Sequence, residues 1–238
     1  MPLESPSPAT IRFIAQANQA YVSLMQSAAA RNTESLGGNL LYAGELDEPG
    51  RILAGASNIA GAASLAASAD AAPLRQAMRD GIIDFLVTSL DEALRILKNE
   101  IRKRQPVSVA VSVAPQAIVK EMLDRGVLPD LLPPLQSPLA PLEFAAFIAQ
   151  GAKRIAPQPL PVGSRFLIWP IPAEFAQRPA EFDELLTRNL PADDLATRRW
   201  LRLSPRFLGP QARRLRSLAC DQETASRLFD VLGPPLQS

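Results

Sequence analysis

Reactive chemistry in this chain has few side chains to draw on, because histidine is absent and cysteine occurs once, as Cys220. General acid–base work would fall to carboxylates, Lys or Tyr. A lone Cys without His gives neither a zinc set nor a Cys/His nucleophile pair. Asp91-Glu92 has the spacing of a first helical turn, where acids offset the positive end of the helix dipole. Neither a Gly-x-x-x-x-Gly-Lys loop nor a Gly-x-Gly-x-x-Gly fingerprint occurs. What remains is the run Gly55-Ala56-Ser57-Asn58-Ile59-Ala60-Gly61-Ala62-Ala63. A strand end running into a helix N-terminus exposes unpaired amides, and small residues at Gly55, Ser57, Asn58, Gly61 and Ala62 would let a pyrophosphate approach the backbone. The same small residues would equally serve close packing of a helix on a sheet, and both readings stay open here.

A second concentration of polar groups is Arg198-Arg199-Trp200-Leu201-Arg202, Arg206, Arg213-Arg214 and Arg216, with no acidic residue from Arg198 to Arg216. Arginine binds phosphates bidentately and Trp stacks, so the run could form a surface for an anionic partner. The alternative is an amphipathic helix pair, with Trp200, Leu201, Phe207 and Leu215 inward, Arg outward, and Asp193, Asp194, Asp221 and Glu223 as counter-charges. Globally, 25 basic against 24 acidic residues leave a formal charge of +1. No long-range field therefore draws the chain to nucleic acid or an anionic membrane. A single Cys fits a reducing compartment, and Cys220 reads as a small buried residue in a helical context. Met1 to Pro8 lacks a basic start and an apolar run, and no apolar stretch approaches the roughly 20 residues of a membrane span. The expected location is cytoplasmic.

The elements that would position these groups alternate. Thr10 caps an opening helix carrying Ile11, Ile14, Tyr21, Val22 and Met25, which Gly37-Gly38 breaks. Residues 39–43 read as a strand, Asp47-Glu48-Pro49-Gly50 as a turn, 51–56 as a second strand, and 59–67 as an Ala-rich helix. A helix from Pro73 to Gly81 precedes a strand at 82–87. Ser89 and Glu92 then form a capping box for a helix striped by Leu90, Leu94, Leu97 and Ile101. Residues 107–113 are a β-branched strand, Pro115 to Gly126 a helix, and 127–132 a short strand. Alternation of this kind predicts a parallel sheet with right-handed crossovers. Beyond it, prolines break the chain around a helix at 142–154; 165–169 reads as an edge strand. Three or four short helices, separated by Pro191, Pro205 and Gly209-Pro210, follow from Pro179.

Over roughly residues 52–141 the sequence resembles the NAD-binding Rossmann-like domain of urocanase, the urocanate hydratase of histidine breakdown. The family's loop, Gly-Leu-Gly-Gly-Met-Ser-Gly-Ala-Gln-Pro-Leu-Ala-Ala, is similar to Gly55–Ala67 at Gly55, Gly61, Ala62, Leu65, Ala66 and Ala67. Ser89-Leu90-Asp91-Glu92-Ala93-Leu94, Ser108-Val109 and Arg125-Gly126-Val127-Leu128-Pro129-Asp130 match further family segments in the same order. The departures are at polar positions. Ser57-Asn58 replace paired glycines, Ala63 a Gln, and Val113-Ala114 a Gly-Asn. Of Asp-Gln-Thr-Ser-Ala-His-Asp-Pro only Ser137 and Pro141 remain.

The resemblance implies an α/β fold: a mostly parallel sheet of about five strands, with an N-terminal helix in 1–36, the core in 37–140, and a Pro-rich connector, edge strand and short helices in 141–238. It implies NAD as cofactor, with Gly55, Ser57, Asn58, Gly61 and Ala62 at its pyrophosphate and Ser137 near the crevice. Urocanase chemistry uses tightly placed NAD⁺ as an electrophile. The lost donors and acceptors therefore imply an accessory relative, acting with a protein partner or as a homo-oligomer. Two alternatives stand beside it: a complete small NAD-dependent hydratase or lyase, and a module that binds an anionic partner through its arginines.

Overall fold

The computed structural model describes residues 6–30, 33–134, 141–210 and 212–236. Helix α1 (Pro8–Ala29) starts where Ser7 Oγ accepts the Thr10 amide at 3.1 Å, and it buries Ile14, Ala17, Tyr21, Leu24 and Ala28 at helical spacing. The core alternates as β1 (Leu40–Glu45), α2 (Glu48–Ala60), β2 (Ala63–Ala67), α3 (Ala71–Asp80), β3 (Phe85–Val87), α4 (Leu90–Arg102) and β4 (Ser108–Val111). It continues through α5 (Pro115–Asp124), β5 (Leu131–Leu132), α6 (Pro141–Ala149) and β6 (Lys153–Arg154). The strands form one six-stranded parallel sheet in the order β3-β4-β2-β1-β5-β6. Both faces are covered. Leu41, Ala43 and Ala66 turn toward α1 and α2, while Tyr42, Leu65 and Val109 turn toward α4, α5 and α6. This is the expected Rossmann-like α/β architecture, with one strand more than about five, because β6 lies within the segment read as the end of a helix at 142–154.

The largest correction concerns residues 51–67. The strand expected at 51–56 is helical, and the helix expected at 59–67 is the end of α2 followed by the central strand β2. Asp47-Glu48-Pro49-Gly50 is a helix start and not a free turn: Asp47 Oδ1 accepts the Gly50 amide at 2.9 Å and Pro49 fits the first turn. Two parallel neighbours need a crossover of a dozen or so residues, which a seven-residue turn could not supply. The Ala-rich β2 is a strand because it pairs on both sides, with β1 and β4, and every residue in it is buried. Tertiary pairing overrides alanine's helix preference there.

The capping reading at α4 holds with a shift. Ser89 Oγ accepts the Glu92 amide at 3.3 Å, but the Glu92 carboxylate reaches the Thr88 amide at 2.8 Å. The Thr88 amide and hydroxyl hold the Glu92 carboxyl below its usual range, and Arg125 does the same for Asp91.

The C-terminal part differs from a string of short helices. Strand β7 (Arg165–Pro170) is not an edge of the main sheet; it pairs antiparallel with β8 (Leu215–Cys220), so Cys220 ends a strand and not a helix. Helices α7 (Pro179–Arg188), α8 (Leu195–Phe207) and α9 (Gln222–Leu232) pack around this ribbon over a small core of Leu167, Trp169, Phe182, Leu186, Leu218 and Leu228. Pro205 does not separate two helices but lies in the last turn of α8. Trp200 ties this unit to the main one, donating to Ser217 O at 2.8 Å and packing 5.3 Å from the Tyr21 ring. Among the described residues no helix is long and apolar enough to cross a membrane.

Candidate functional site

In an open parallel sheet, ligands sit outside the strand C-termini where neighbouring strands send their connections in opposite directions. Here those strands are β1, which leads through α2 to β2, and β5, which leads through α6 to β6 on the other side. The crevice-facing turn is therefore residues 44–50, upstream of the run singled out in the sequence. Strand β1 bulges at its end, pairing Tyr42 with Leu65 and then Gly44 with Ala66. Gly44 takes a φ of 85°, and Leu46 donates to Ala67 O at 3.0 Å before Asp47 opens α2.

A helix start normally offers its first amides to an anion. At α2, Pro49 has no N–H, and the Gly50 amide is taken by Asp47 Oδ1. Arg51 N–H already closes the helix on Asp47 O at 2.9 Å. At most the Glu48 amide is left, between two carboxylates that occupy the dipole's positive end. The turn is also closed sterically: a Cβ on Gly50 would stand 1.9 Å from Glu45 O.

Beside it opens a cavity of about 470 Å³ bordered by Phe13, Leu46, Asp47, Glu48, Arg51 and Asp80, among others. Among the described residues its one lining cation, Arg51, is held by Asp80. A dinucleotide's diphosphate does not fit this first turn, which supplies negative charge where the ligand does.

The expected pyrophosphate residues are all buried, and they lie away from that crevice. Gly55 is mid-helix in α2, its missing Cβ making room for Leu208 Cδ2 at 2.9 Å and Phe207 O at 3.0 Å. Ser57 Oγ donates back to Ala54 O at 2.9 Å. Asn58 Nδ2 donates to Ser108 Oγ, which is also 3.0 Å from Ser64 Oγ, so this polar knot sits at the N-terminal ends of β2 and β4. Gly61 ends α2 with φ 97°, and Ala62 leads into β2. The strand-to-helix geometry on which their expected role rested is reversed here: the helix ends where it was expected to begin. Ser137 lies outside the described residues.

Three of the seven arginines of the run are engaged with the protein's own backbone, and Arg202, Arg206, Arg213 and Arg214 are exposed. Arg198 donates to Pro191 O at 3.0 Å and Leu190 O at 2.9 Å, and Arg199 donates to Ile59 O at the end of α2. Arg216, 4% exposed, pairs with Asp183 and donates to Leu215 O at 2.9 Å. Its neighbours Leu215 and Leu218 lie in a strand and not in the helix pair expected for the segment.

Sequence reasoning misses this helix start because Asp47-Glu48-Pro49-Gly50 reads equally as a turn. The signal that finds it is Asp as N-cap, Pro in the first turn, and Ile52, Leu53, Ala56, Ile59 and Ala60 at helical spacing.

Residues 18–144, more than half of the 238, match the family model described as the urocanase Rossmann-like domain. That match reaches back through β1 and the second half of α1.

Proposed function

Because the chain belongs to the urocanase family through its Rossmann-like domain, we propose that it is a non-catalytic relative of urocanate hydratase, an accessory domain acting beside histidine catabolism. On this reading the dinucleotide-binding type of fold is kept as a scaffold, the grip on NAD is weak or absent, and the domain works through a protein partner or a second copy of itself. One observation carries the reading. The first turn of α2 carries a carboxylate cap, a second acid and a proline where a phosphate would need free amides. A reaction that uses NAD⁺ as an electrophile needs that cofactor fixed with close tolerance. A crevice that repels its diphosphate removes the first requirement.

Two measurements test the reading together. Native mass spectrometry of the purified protein should show the apo mass alone, and urocanate absorbance should stay constant on adding protein with NAD⁺. A retained dinucleotide, or steady loss of urocanate absorbance proportional to protein, would make the chain a small hydratase instead.

A further inference from the structure

The six-stranded sheet ends on two edges, and they are built differently. At one, β6 is two residues long, and both of them, Lys153 and Arg154, are cations, a usual guard against further pairing. At the other, β3 hydrogen-bonds to β4 on one side and has no strand on its other side among the described residues. Phe85-Leu86-Val87 carries neither charge nor proline. Phe85 is 46% exposed and Leu86 38%, and Met78, on the adjacent α3, is 37% exposed. An apolar strand edge left in this state is a template for another strand.

The backbone of that edge is open at its centre. Val87 O accepts the Ser112 amide of β4 at 2.9 Å, so strand alternation turns the amide and carbonyl of Leu86 outward. A second β3, reversed about a two-fold axis at Leu86, would exchange both of these hydrogen bonds, with the two Leu86 Cα atoms about 5.5 Å apart. Phe85 and Val87 share the face covered by α4, so Phe85 of each copy would meet Val87 of the other, and the two Leu86 side chains would meet on the opposite face.

The charges along the edge agree with that reversal. Helix α4 runs back along β3: Glu92 stands beside Thr88 at one end, and Arg95, with Arg206 of α8, borders Phe85 at the other. The two carboxylates at the arginine end are already engaged, Asp84 Oδ2 with the Ser108 amide at 2.8 Å and Glu100 with Lys103 at 2.8 Å. A two-fold axis sets the Glu92 end of each copy against the arginine end of the other, so opposite charges meet.

We propose that β3 is a dimerisation edge, pairing antiparallel with β3 of a second copy of this chain so that the two sheets become one. The inference names the partner in the accessory reading and rests on that reading only for what a dimer would serve; the pairing itself does not involve NAD.

Sedimentation velocity without NAD⁺, from about 1 to about 200 micromolar protein, should show monomer giving way to dimer. Leu86→Lys sets two like charges at the axis and should remain monomeric throughout, melting as the wild type does when dilute. Arg95→Glu, which brings an acid against Glu92 of the other copy, should weaken the dimer by at least about tenfold. Leu86→Cys should give a disulfide-linked dimer on mild oxidation, since the expected Cα separation lies within bridging range, and Leu128→Cys, on the exposed loop between α5 and β5, should not. A monomer at every concentration overturns the proposal, as does a dimer that Leu86→Lys leaves intact. Should Leu86→Lys fail to fold, linkage of Leu86→Cys no faster than that of Leu128→Cys overturns it instead. Urocanate turnover by a dimer that Leu86→Lys dissociates would remove the accessory reading and leave the pairing standing.

Discussion

At its first turn α2 presents Asp47, Glu48 and Pro49 to the crevice above β1, whereas its last turn packs Ser57, Asn58 and Gly61 beneath the opposite end of the sheet. Neither end is open to a phosphate. The first has its amides capped or removed. The second points carbonyls outward, and Arg199 caps one of them, Ile59 O. Small residues mark places where backbones come close. Whether a ligand or another helix fills the space depends on which helix end is there and which of its amides are free.

That contrast is sharpest at Gly50, where an added Cβ would lie 1.9 Å from Glu45 O. Gly50→Ala should destabilise the protein by about 3 kcal/mol or more, at or above the top of the ordinary overpacking range. Denaturant titration reads this directly, and a loss under about 1 kcal/mol would show that the turn is looser than described. Next comes Gly55→Val, which meets the carbonyl of Phe207 and Leu208 and should cost about 1–3 kcal/mol. An unchanged midpoint there would mean that α8 does not press on α2.

At the far end, Gly61→Ala forces a side chain onto a left-handed residue and toward Arg199 Nη2 at 2.7 Å, for about 1–2 kcal/mol. The smallest effect is at the cap itself. Asp47→Ala should cost about 1 kcal/mol while Asp47→Asn costs a few tenths, because Asn retains the capping oxygen. Equal losses in the two would show that the charge and not the hydrogen bond holds the turn.

The alternating α/β order, the strand near 108–111 and the Ser89 helix start were legible because periodicity, β-branched residues and caps agree there. The segment 51–67 was not, because Ala and Gly carry little periodicity and β2 owes its conformation to pairing with β1 and β4. β8 was hidden for a related reason: Arg216 is buried by its pairing with Asp183, so an inward position looked polar. The candidate site was half legible. The family could be read from the residues, but the place of the crevice turn required knowing where β1 ended.

The central claim is that the α2 turn turns away a diphosphate, and thermal unfolding in the presence of NAD⁺ tests it most directly. The account predicts a midpoint that does not move at millimolar NAD⁺. A saturable rise approaching the roughly 2.7 kcal/mol expected at a hundred times the dissociation constant, and abolished by inorganic pyrophosphate, would contradict it.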